Sequence, residues 1–138
     1  MNKFIIVVVL CVSCIVYAQQ VNNFAGTYTT SINEADVPPE GKDLVGIWEI
    51  MLSDQNQFTA SKSGEIQARG TYLVQNDHVS FADQDGPNAC PKEQAAGTYQ
   101  VSYDVDTVTF TAVDDQCAGR KIILSSHSLM RKKAVNQL

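Results

Sequence analysis

The sequence predicts an all-β fold: an antiparallel, up-and-down meander of about eight strands closed into a barrel. Three observations predict it. After residue 19 there is no helical period of any length; short runs of alternating apolar and polar residues take its place, bounded by Gly, Asn, Asp and Pro. The links Asp54-Gln55-Asn56, Asn76-Asp77 and Asp104-Val105-Asp106 are too short for a parallel crossover, so neighbouring strands run antiparallel. Finally, Gly-x-aromatic recurs at Gly26-Thr27-Tyr28, Gly46-Ile47-Trp48, Gly70-Thr71-Tyr72 and Gly97-Thr98-Tyr99, each Gly sharing a face with its ring. A missing side chain at such a position lets a sheet bend and a large neighbouring ring lie over the gap. A sheet that bends repeatedly closes on itself; a two-sheet sandwich is the alternative.

Residues 1–18 read as a secretory signal peptide. Lys3 supplies the basic start, Ile5 to Leu10 the apolar run, and Ile15-Val16-Tyr17-Ala18 a small-residue exit with cleavage after Ala18. The run is short for a transmembrane span and lacks stop-transfer charges. Cys11-Val12-Ser13-Cys14 faintly resembles a bacterial lipobox, which would make Cys14 a lipidated terminus, but the usual Leu three residues earlier is missing. The expected location is extracellular, or periplasmic in a bacterium. Residues 19–138 form the single domain, too short for a second core.

The strands follow in order. Residues 24–32 alternate Phe24, Gly26 and Tyr28 against Ala25, Thr27 and Thr29, and 44–52 place Gly46, Trp48, Ile50 and Leu52 on one face. The brief 57–60 offers Phe58 and Ala60. Residues 65–75 give the clearest pattern, with Ile66, Ala68, Gly70, Tyr72 and Val74 inward. Then come 78–82 with Val79 and Phe81, 97–103 with Tyr99, Val101 and Tyr103, 107–113 with Val108, Phe110 and Ala112, and 120–127 with Ile122 and Leu124. In a meander the loops alternate between the two barrel ends. The long 33–43 link, with Pro38-Pro39, therefore shares an end with Cys90 and Cys117.

Those two cysteines are the only ones beyond the signal peptide, so one intramolecular bridge is open to them. A Cys90–Cys117 disulfide should stabilise the fold by roughly 3–4 kcal/mol in the chain-entropy model. A metal or redox pair lacks the neighbouring His or Cys that ligand spacing needs. Beyond residue 18 the chain has 9 Lys and Arg against 15 Asp and Glu. That balance argues against nucleic acid, whose phosphates call for clustered basic side chains, and against an anionic membrane.

No Ser, Cys or Thr sits in a nucleophile motif beside a base, so nothing points to an enzyme. His78 and His127 lie too far apart in the meander for a shared metal, and no cofactor is called for. Glu34, Asp36, Glu40, Asp43, Asp83, Asp85, Asp114 and Asp115 crowd the long-loop end, where they read as solvated turn residues. Asp83-Gln84-Asp85-Gly86 is only a fragment of a calcium loop. The basic run Arg131-Lys132-Lys133 reads as a solvated tail.

A small secreted barrel that opens a strand with Gly46-Ile47-Trp48 resembles the lipocalin and wider calycin group. In that group a basic side chain packs across the Trp, and the resemblance implies that role for Arg120, at the same barrel end. Two departures, the strand preceding Gly-x-Trp and the short chain, argue against a roomy cavity. Avidin-like barrels also repeat Gly-x-Tyr/Trp, but hold their ligand with several tryptophans, and Trp48 stands alone here.

The resemblance implies binding of a small apolar or amphipathic ligand in the barrel or at its mouth, on Tyr28, Trp48, Tyr72, Tyr99, Tyr103, Phe110 and Arg120. The rival expectation is a barrel filled by its own rings, acting as a protein-interaction or inhibitor module through its acidic loops. Buried phenols need hydrogen-bond partners, either within the chain or on a ligand. Cavity volume separates the two, because ligand pockets start at about 300 Å³.

Overall fold

The computed structural model describes residues 24–133. The segment expected to be a signal peptide, with Cys11 and Cys14, lies outside them. Eight strands follow in chain order: β1 (Gly26–Ile32), β2 (Gly46–Leu52), β3 (Gln57–Lys62), β4 (Glu65–Gln75), β5 (His78–Asp85), β6 (Ala96–Tyr103), β7 (Thr107–Asp114) and β8 (Leu129–Arg131). Each pairs antiparallel with the next, and β8 returns to β1, closing the barrel. The sandwich alternative is thereby excluded.

Local chemistry sets the turns. Asn76 adopts φ 58°, which Asn tolerates better than most residues, and with Asp77 makes a two-residue hairpin between Gln75 and His78. At Gly70 a Cβ would stand 1.9 Å from the Ala82 carbonyl oxygen and 2.7 Å from the Phe58 ring. The overlying ring expected of a Gly-x-aromatic position is present there, and the β4–β5 register shifts between Arg69 and Gly70. At Gly97 the space is taken instead by the Asp115 carboxylate and the Arg120 guanidinium.

The sheet closes unevenly. Strand β8 pairs with only two residues of β1 and two of β7. The segment expected as the last strand, 120–127, falls mostly within an α-helix, α1 (Ala118–Ser125), packed beside β7 and β1. Arg120, Ile123 and Leu124 are buried, an i, i+3, i+4 spacing that one helical face satisfies and an alternating strand does not.

A second correction concerns Ile66, which is 40% exposed. The register slips one residue between Ala60 and Ser61, and a one-residue bulge sends the preceding side chain to the opposite face. Tyr103, expected inside, is 55% exposed at the rim.

The two barrel ends differ. The floor, at the tight turns, is closed by Phe24, which is fully buried just before β1. Its ring lies 5.5 Å from Tyr72, 5.9 Å from Tyr103 and 6.2 Å from Phe110. Above them Phe81 contacts Phe58, Tyr99 and Phe110 at 5.5–6.0 Å. The other end, the mouth, carries the link 33–45, the loop 86–95 and helix α1.

Candidate functional site

At the mouth, Arg120 stands in α1 with its side chain 7% exposed, facing Asp83 from β5 and Asp115 just beyond β7. Its Nε and Nη2 donate to the two oxygens of Asp115, each at 2.8 Å, in the parallel fork a guanidinium offers a carboxylate. Nη1 donates to Asp83 at 2.9 Å and to the Ala95 carbonyl at 2.6 Å, and Nη2 also to the Gln94 carbonyl. All five donors are thereby engaged within the chain.

The carboxylates are equally committed. Asp115 also accepts the Tyr99 hydroxyl and, at 2.8 Å, the Cys117 backbone N–H. Asp83 accepts the Cys90 backbone N–H at 2.8 Å. Cys90 and Cys117 form the expected disulfide, Cα to Cα 6.0 Å. Each half of the bridge thus hangs from a carboxylate that holds Arg120, and covalent and ionic links form one lock.

The electrostatics follow from that geometry. Burial alone would push the Asp115 carboxyl up, but hydrogen bonds from Arg120, Tyr99 and Cys117, with the guanidinium charge, hold it below the usual carboxylate range. Burial would lower Arg120, yet its bonds and charge contacts with Asp115 and Asp83 raise it well above its ordinary value. Burial and the Asp115 bond drive the Tyr99 phenol far up. It stays neutral and donates.

This arrangement corrects two expectations. Asp83 and Asp115 are buried partners of Arg120, with side chains 4% and 0% exposed, and not solvated turn residues. Nor does Arg120 lie across Trp48, because the two carboxylates draw it away. The cation over Trp48 is Lys62, 5.9 Å from the ring centroid, and Trp48 Nε1 donates to the Leu44 carbonyl at 2.8 Å.

Of the other aromatic residues singled out from the sequence, Tyr99 reaches the mouth lock through its hydroxyl, and Tyr28, Tyr72, Tyr103 and Phe110 stand toward the Phe24 floor. The Tyr28 hydroxyl donates to the Phe24 carbonyl and accepts from Arg131 Nη2, both at 2.8 Å. Tyr72 donates to the Ser53 carbonyl. Tyr28, Tyr72 and Tyr99, the buried phenols, therefore all have partners inside the chain. Arg131 belongs to β8 and Lys132 reaches Glu49 at 2.7 Å, so the basic run is stitched to the barrel wall rather than forming a free tail.

A cavity of about 60 Å³ lies beneath α1 at the mouth. Leu44, Trp48, Ile50, Phe58, Ala60, Ala68, Phe81, Ile123 and Leu124 make most of its wall, with Gln67, Asp83, Asn88, Cys90, Gly119 and Arg120 completing it. Of the seven residues singled out, the structure brings Trp48 and Arg120 to this void; Tyr28, Tyr72, Tyr99, Tyr103 and Phe110 are not in its wall. Asp83 and Asp115 were missed as partners. Their signal was an unmatched Arg in a chain whose Cys90 and Cys117 each lie within seven residues of an Asp.

Among the described residues no group of three or more His, Cys, Asp or Glu gathers as a metal site, and no helix is long and apolar enough to cross a membrane. No family model, curated protein or solved structure matches the chain. The closed eight-stranded antiparallel barrel is compatible with a calycin-like fold.

Proposed function

We propose that this chain is an exported, calycin-type barrel with a filled interior, working as a protein-interaction module through its mouth loops. The observation that carries this reading is the size of the void under α1, among the described residues. At about 60 Å³ it falls far short of the roughly 300 Å³ at which small-molecule pockets begin. Two further features support it. The buried phenols are satisfied internally, and Arg120 has no donor left for a ligand carboxylate.

What remains for recognition is the outside. The mouth presents the long 33–45 link and the 86–95 loop on a frame fixed by the Cys90–Cys117 bridge. Loops held on a rigid scaffold are the usual seat of binding. Native mass spectrometry of the protein recovered gently from its producing cell tests this reading. The expected spectrum holds the bare disulfide-bonded chain and a complex with a second protein that salt dissociates. A stoichiometric small mass, removed by organic extraction, would contradict it and restore the ligand carrier.

A further inference from the structure

We infer that the void under α1 is a docking pocket for one branched apolar side chain, Leu-, Ile- or Val-like, on a partner segment flanked by Lys or Arg. This deepens the interaction-module reading and rests on it. The pocket wall dictates an apolar occupant. Trp48, Ile50, Phe58, Ile123 and Leu124 surround it, and its two charged members, Asp83 and Arg120, are bound to each other.

The volume dictates a small occupant, a few carbons rather than a lipid or a drug-sized ring. A free molecule of that size gains too little contact to offset the freedom it loses on binding. A side chain presented by a larger protein surface escapes that limit, and interface hot spots are single residues seated in such pockets.

The rim adds direction and charge. The void reaches the surface beside Asn88, which is exposed, and beside the half-buried Leu44, Gln67 and Gly119. Exposed carboxylates on the mouth segments (Glu34, Glu40, Asp43, Glu65, Asp85, Glu93 and Asp114) outnumber the cations Lys42, Lys62, Arg69, Lys92 and Lys121, even with Asp85 paired to Arg69 at 3.8 Å. Basic residues on both sides of the inserted side chain match that balance. The disulfide and the Asp83–Arg120–Asp115 lock tie two rim segments together in advance, which lowers the ordering needed on docking.

Trp48 is the only tryptophan of the chain and lines the pocket, so its emission and indole N–H resonance report occupancy directly. The probe is the capped peptide Gly-Lys-Leu-Lys-Gly, compared with its Leu→Ala and Lys→Glu forms and with free 2-methylpropanol. The expected result is a saturable Trp48 shift with the Leu peptide, at least tenfold weaker for either substituted form and lost when Ala68→Leu fills the void. Should Ala68→Leu not fold, Asn88→Trp at the rim replaces it, read by the indole resonance of Trp48.

Equal binding of the Leu and Ala peptides, or no Trp48 shift at millimolar peptide, would overturn the proposal. So would 2-methylpropanol binding as well as the Leu peptide, which would make the void a small-molecule site. If the peptides fail while Asp43→Lys with Asp85→Lys still abolishes the protein complex recovered from cells, the pocket assignment falls and the module reading stands. If neither perturbs anything, both fall.

Discussion

The floor and the mouth of this barrel are closed by different physics. At the floor, Phe24 and its ring neighbours fill the opening with apolar volume, and the phenols of Tyr28 and Tyr72 end on backbone carbonyls. At the mouth, a helix, a disulfide and a buried ion triad do the same work. Apolar packing is non-directional and tolerates small shifts. The triad is directional: it fixes the helix and two loops in one geometry, which is why the proposed binding surface is placed at that end.

The comparison breaks most visibly under single truncations. Arg120→Ala leaves Asp83 and Asp115 buried without their partner and should cost about 3–5 kcal/mol. Hydrogen exchange should then accelerate across α1 and 86–95 while the floor ends of the strands stay protected; uniform acceleration would deny that the ends are separable. Phe24→Ala should cost a similar amount, about 3–5 kcal/mol, with the pattern reversed. A near-neutral Phe24→Ala in denaturant melts would remove the floor plug.

Reduction of Cys90–Cys117 comes next. The sequence separation of 27 implies a loss of roughly 3–4 kcal/mol in the chain-entropy model. The melting temperature should fall by many degrees with the β circular-dichroism signal kept. Because each cysteine N–H is held by a carboxylate of the triad, reduction and Arg120→Ala should cost less together than the sum of their separate effects. Strict additivity would mean two independent locks.

Acid should weaken the mouth lock. The Asp115 carboxyl is held below its ordinary range in the fold. Its stabilisation is therefore complete above the unfolded value, about 3.9, and is lost as pH falls through the lower folded value. Thermal melts from pH 6 downward should show stability falling below about pH 4, less steeply in Asp115→Asn. Equal slopes would contradict the assignment.

The smallest effect is of opposite sign. Thr30 is buried and its Oγ1 has no hydrogen-bond partner, and such an orphan costs about 1–3 kcal/mol. Thr30→Val keeps the shape and should leave the fold unchanged or more stable by up to about 1 kcal/mol. A clear loss would show that the hydroxyl is satisfied.

Most of the barrel was legible because strand signals are local. Seven strands, the antiparallel order and the shared end of the two cysteines follow from alternation, turn residues and loop parity. Arg120 to His127 misled because Ile122 and Leu124 mimic a period of two, whereas burial of Arg120, Ile123 and Leu124 is helical, and that of Arg120 depends on the two aspartates. Ile66 misled because a bulge is a property of strand pairing and leaves no mark in one strand alone. The Trp48–Arg120 contact misled for the same reason: which cation reaches the ring depends on carboxylates distant in sequence, and Lys62 was nearer.

The filled interior is tested most directly by an NMR titration of the protein with decanoic acid, following the Tyr28, Tyr72, Tyr99 and Phe110 ring signals. A barrel packed by its own rings predicts no saturable shift at any of the four. A saturable shift spreading from Trp48 down to Tyr72 and Phe110 would contradict it and show an interior that opens for a chain.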